Sequence, residues 1–203
     1  MDAPHTPLVR PKAYFARDTA PSLARGALVV ALNWLAVTLG LLVVLYFIVS
    51  RTSDAPPELL GGLRRILPEL VIVLLVGLVV TWLAIGGVIH LLAGGEESFG
   101  ETLAVVAWGY APDVLLAPIT VVAASLAVRD TTFDATSPAT YTRDVEAFIA
   151  GSEGTVGIVL AAVVAVWSAY IWTYGVAQIH GIETIRAGAI AGLVALVGFV
   201  LSL

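Results

Sequence analysis

The sequence predicts an all-α, polytopic membrane protein, a bundle of five transmembrane helices. Three observations carry this. Hydrophobic residues make up 59% of the 203 and charged residues only 12%, about half the roughly 25% of a soluble domain. The mean hydropathy is +0.97. The apolar residues gather into five runs of spanning length. A hydrocarbon core of about 30 Å, at about 1.5 Å per helical residue, needs about 20 of them.

The first span is expected over Gly26–Ser50, uncharged inside and bracketed by Arg25 and Arg51. The second follows the Arg64-Arg65 pair and Glu69 and covers Leu70–Leu92. The third lies between Glu101 and Arg129, over Thr102–Val128. The fourth covers Thr155–Ile179 and the fifth Thr184–Leu203. Residues 1–25 form a polar, proline-containing juxtamembrane segment and 26–203 the membrane domain. The apolar run after Arg25 is too long for a secretory signal, so it reads as a retained span. The longest connection, Arg129–Gly154, has room for one short helix, with Tyr141–Ala150 as an amphipathic candidate.

Lys and Arg number 10 against 15 Asp and Glu, for a net charge of -5. That balance excludes a nucleic-acid partner. With no cysteine, disulfides, thiol catalysis and thiolate metal sites are excluded too. All the basic residues but Lys12 are arginines, and the polar segments are acidic; this suits a prokaryotic, haloarchaeal-type source or a GC-rich genome. Arg10, Lys12, Arg17, Arg25 and Arg186 fall on one side of the membrane, Arg51, Arg64, Arg65, Arg129 and Arg143 on the other. The positive-inside count is therefore even, and the cluster ahead of span one favours a cytoplasmic N-terminus in the cell membrane.

Spans two and four end alike. Trp82 precedes Ile89-His90 as Trp172 precedes Ile179-His180, and Glu101-Thr102-Leu103 matches Glu183-Thr184-Ile185 in opening the next helix. Two parallel hairpins, spans 2–3 and 4–5, would account for this; so would convergence at the headgroup region, which favours Trp and His.

Asp113 is the most expensive residue in the chain. It lies roughly 18 Å along the third span, at a depth where an acid costs about 3 kcal/mol on insertion scales. Pro112 and Pro118 beside it cannot donate to the carbonyls four residues back, so the span is expected to break there. A carboxylate among freed carbonyls suits a proton or cation site, and it equally suits a helix cap. His90 and His180 end on the same membrane side and, with Glu96, Glu97 or Glu183, are weak metal candidates, lacking a ligand-type spacing. No nucleophile motif or paired intramembrane acid is present, so neither catalysis nor a cofactor is expected. Gly188 and Gly192, continued by Ala191 and Ala195, form a small-residue stripe for close helix packing, within the chain or in a homodimer. The five tryptophans read as interface or packing residues. Tyr14 and Phe15, among Lys12 and Arg17, suit either a headgroup layer or a docking partner.

Several pieces, in order, resemble the Yip family of five-span membrane proteins, named for interacting with Rab-type GTPases. They are Pro11 with Tyr14-Phe15, the stretch His90-Leu-Leu-Ala-Gly94-Gly95-Glu96-Glu97-Ser98-Phe99, then Trp108-Gly109-Tyr110-Ala111-Pro112, and Gly175-Val-Ala-Gln-Ile-His180-Gly181-Ile182 with Arg186. Together they cover residues 7–203. The resemblance implies a membrane bundle whose eukaryotic relatives act in vesicle transport, bind prenylated Rab GTPases or shape membranes. The long cytoplasmic tail of many relatives is not seen here. On this reading the protein is a non-enzymatic scaffold or adaptor. Its partners would be the lipid bilayer and a membrane protein or GTPase-like protein. The contact surfaces would be the N-terminal segment and the turns Gly94, Gly95, Glu96, Glu97, Glu101, Gly181 and Arg186. The rival reading is a small transporter or ion pathway through Asp113.

Overall fold

A computed structural model describes residues 6–16, 21–53, 57–94, 97–152 and 155–201. Gly95, Glu96, Arg17 and the last two residues of span five lie outside them. Among the described residues, eight helices and two short strands follow in order: α1 Pro11–Phe15, α2 Leu23–Ser50, β1 Thr52–Ser53, α3 Pro57–Ala93, α4 Phe99–Trp108, α5 Ala111–Arg129, β2 Phe133–Asp134, α6 Pro138–Ser152, α7 Thr155–Ile179 and α8 Thr184–Leu201. Five stretches are long and apolar enough to cross a membrane: Leu23–Ser50, Arg64–Ala93, Phe99–Arg129, Val156–Ile179 and Thr184–Leu201. The protein is a multi-pass helical bundle, as its composition requires.

Local chemistry sets the ends of these helices. The amide of Arg25 donates to Ser22 Oγ at 3.4 Å, so Ser22 acts as the N-cap of α2. After α3, Gly94 adopts φ +128°, and after α7, Gly181 adopts φ +59°; both are conformations that glycine reaches without Cβ strain. Helix α3 begins at Pro57, thirteen residues before the expected start of span two. Hydropathy marks only the part that fits in lipid, and the helix continues through Arg64, Arg65 and Pro68.

The third span breaks ahead of the first of its two prolines, while Pro118 stays inside α5. Helix α4 ends at Trp108, and the amides of Gly109 and Tyr110 bond three residues back, to Val106 (2.9 Å) and Ala107 (3.1 Å). Pro112, which has no N–H, follows at once and opens α5.

The chain packs as two compact units, Met1–Trp34 with Gly77–Leu115 and Ala161–Leu203, and Leu35–Val76 with Leu116–Leu160. In the first, α4 is the core: Thr102 through Trp108 are all buried. Helices approach it through glycine. A Cβ on Gly26 of α2 would lie 2.9 Å from Ala107 Cβ and 3.2 Å from the Ala104 backbone, and one on Gly175 of α7 would overlap Val105. Helix α8 buries Ala187, Ile190, Ala191 and Ala195.

In the second unit, β1 and β2 pair in parallel, Thr52 opposite Phe133. Such strands were not foreseen, because two residues carry no periodicity. Phe133, fully buried, packs with Ile48 and Val128. Tyr141, Val145 and Phe148 of α6 close over them, at the spacing of one helical face. The short amphipathic helix expected in this connection is therefore present.

Candidate functional site

The last turn of α3 and the turn after α7 meet on one hydroxyl. His90 Nδ1 and His180 Nε2 each lie 3.1 Å from Thr102 Oγ1, and the two rings stand 5.6 Å apart. A threonine hydroxyl holds one donor and two acceptor sites. With both imidazoles neutral, one ring N–H donates to the oxygen while the hydroxyl donates to the other ring. Protonating both would leave two cations about one ring apart. Burial, and then the neighbouring His90, holds the His180 imidazole below its ordinary value, while Glu97 pulls the other way. Arg186 donates to the Leu92 carbonyl at 3.2 Å, satisfying a terminal carbonyl of α3 and placing a cation at its negative end.

Around this cluster Gly94, Glu97, Gly181 and Arg186 are exposed and Glu101 is half-buried in the first turn of α4. The histidines thus come together, but on a threonine. Among the described residues no three His, Asp or Glu side chains converge as metal ligands.

The residues matched between spans two and four do not form two equivalent sets. Trp82 Nε1 donates to Leu103 O at 2.9 Å and Trp172 Nε1 to Val106 O at 3.0 Å, both on α4. Ile185, the counterpart of buried Leu103, is 84% exposed. Trp82, Trp167 and Trp172 are backbone-binding groups as well as packing ones: Trp167 Nε1 donates to Leu8 O at 2.7 Å.

Leu8 belongs to an N-terminal segment packed on the core. The N-terminal aromatics do not lie free for headgroups or a partner. Tyr14 and Phe15 are 7% and 5% exposed, and Tyr14 meets Trp108 edge-on at 5.6 Å. Two aromatic rings so near apolar helix surface gain more from burial there than at the interface. The small-residue stripe divides. Ala191 and Ala195, with Ala187, face the core, a Cβ on Gly188 would stand 3.5 Å from Thr173 of α7, and one on Gly192 would meet nothing within 4 Å.

Asp113 lies apart from the histidines, in the first turn of α5. It lines a cavity of about 310 Å³ within the first unit, together with Tyr110, Ser168 and Trp172. Ser168 Oγ donates to Gly109 O at 2.6 Å, taking up a carbonyl at the break. Among the described residues the Asp113 carboxylate has no hydrogen bond or ion pair, so it caps no helix. Sequence reasoning missed Thr102, Ser168 and Tyr110. Their signal was modest, a hydroxyl inside an apolar run.

Compared with known proteins, the chain matches the Yip1 domain family model over residues 7–203. No curated protein matches, and no solved structure does.

Proposed function

The chain belongs to the Yip1 domain family, and from that premise we propose that it is a non-enzymatic scaffold or adaptor in membrane organisation or membrane-protein trafficking, set in the cell membrane with its N-terminus cytoplasmic. The observation that carries the reading is the tie between the end of α3, the start of α4 and the turn from α7 to α8. Thr102 bonds both histidines and Arg186 bonds the end of α3, so the exposed residues Glu97, Ile185 and Arg186 are held in one arrangement. A surface ordered in advance loses less entropy on binding a partner. The partner is a membrane protein or a GTPase-like protein.

Crosslinking in native membranes, followed by affinity purification and mass spectrometry, tests this. The expected result is a stoichiometric protein partner that is lost in a Glu97→Arg, Arg186→Glu variant. Recovery of lipid alone removes the scaffold. Self-crosslinks through the open Gly192 face would replace it with a homodimer.

Transport is the second reading, favoured by the cavity beside Asp113 at the break in span three. It requires ion or proton flux in liposomes that Asp113→Asn abolishes without loss of folded protein.

A further inference from the structure

We propose that the cavity at the break in span three binds an organic ammonium ion with an apolar body, of the alkylamine type. The inference does not rest on the scaffold reading.

At about 310 Å³ the space is twice the 150 Å³ cavity that takes up benzene, so it suits a ligand of about a dozen heavy atoms. Ile85, Val164, Ala165 and Val194 give it an aliphatic wall. Four lining residues carry polar side-chain atoms, and two of these are already used: Ser168 donates to Gly109 O and Trp172 to Val106 O. Two remain. Among the described residues the buried Tyr110 hydroxyl has no hydrogen-bond partner, and the Asp113 carboxylate has none either. An unmade hydrogen bond in such a place costs about 1–3 kcal/mol, and an unpaired acid more.

A ligand that satisfies this wall brings N–H donors and a positive charge to the carboxylate and otherwise apolar surface. Calcium takes six to eight oxygens and magnesium six; the cavity has the two of Asp113 and the one of Tyr110 unengaged. Anions meet a carboxylate, and neutral apolar molecules leave it unpaired. Tyr110 and Trp172 add aromatic surface of the kind that attracts organic cations.

Equilibrium dialysis of octylammonium against the full chain in nanodiscs of neutral phospholipid, corrected for empty nanodiscs, tests this with 1-octanol as the uncharged control. Saturable binding of one octylammonium per chain is expected, weakened at least ten-fold by Asp113→Asn, while octanol binds weakly and alike to both. Gly198→Phe fills the cavity from a position whose Cβ meets nothing within 4 Å and should abolish octylammonium binding, which keeps the test intact if Asp113→Asn fails to fold. Equal binding of octanol and octylammonium overturns the proposal. So do full competition by sodium ion, an unchanged affinity in Asp113→Asn, and the absence of saturable binding.

Discussion

The two halves of span three are built by opposite rules. Helix α4 is buried on every side over Thr102–Trp108. Helix α5 exposes Leu115, Ile119, Val122 and Leu126, each by half or more, a stripe at helical spacing that faces lipid. The hydroxyls of α5 are satisfied at home, Thr120 by Leu116 O and Ser125 by Val121 O. The hydroxyl of α4 bonds side chains from two other elements, and its carbonyls accept from Trp82 and Trp172. Inside a membrane, burying apolar surface against a neighbour gains little over burying it in lipid. What distinguishes a packed helix from a lipid-facing one is then close backbone approach and hydrogen bonds across elements. The break at Gly109 lets one apolar span supply both kinds.

The sharpest way to break the contrast is a methyl group at the break. A Cβ on Gly109 would overlap the Trp172 indole. Gly109→Ala should cost about 2–4 kcal/mol from overpacking and the strained Trp172 bond, read as a lowered midpoint in a detergent denaturation series. Gly40→Ala is the matched control beside α5. Its Cβ would meet only the end of the Val121 side chain, and a loss of about 1 kcal/mol or less is expected. Equal losses would end the distinction between the halves.

Next in size are the indole bonds. Trp172→Phe keeps most of the ring volume and removes the donor to Val106 O, for an expected loss of about 1–2 kcal/mol. Trp82→Phe, whose donor bond also ends on α4, should cost a similar amount in the same assay.

A smaller effect is expected with pH. The folded His180 imidazole sits below its ordinary 6.5 because burial and His90 disfavour its charged form. The unfolded chain therefore takes up the proton first. Stability contributed by neutral His180 is complete above pH 6.5 and falls as the pH drops below that value, towards the lower folded one. His180→Gln should flatten the stability profile in that window, whereas Asp134→Asn, a change of a half-buried acid at the end of β2 held low by its bonds to Thr136, should act only at more acidic pH. The smallest effect is Arg143→Ala. Its ion pair with Asp144 is 3.6 Å long and its side chain 78% exposed, so a change within about 0.5 kcal/mol is expected.

Much of the architecture was legible because lipid is a demanding solvent. Spans one, three, four and five were found close to their helix limits, since charge and apolarity change sharply at a membrane surface. The start of α3 was not, because backbone hydrogen bonding continues past the lipid boundary through Arg64 and Arg65. Pro112 announced the break beside Asp113 by lacking a donor. The site was only partly legible. His90 and His180 could be placed on one membrane side by counting spans, but their convergence on Thr102 could not, since a threonine opening a helix looks like an ordinary start signal.

By itself, then, the sequence determined the solvent, the number of crossings, the position of the break and the family, because each depends on composition or on residues adjacent in the chain. Only the tertiary structure decided which face of each helix is buried. It alone joined the two histidines on Thr102, drew Tyr14 and Phe15 into the core, turned α8 inward on Ala187, Ala191 and Ala195, and set Asp113 beside a cavity, unpaired among the described residues. Those outcomes depend on which helices come close enough to exchange a few hydrogen bonds and methyl contacts, and in an almost uniformly apolar chain hydropathy does not mark those contacts.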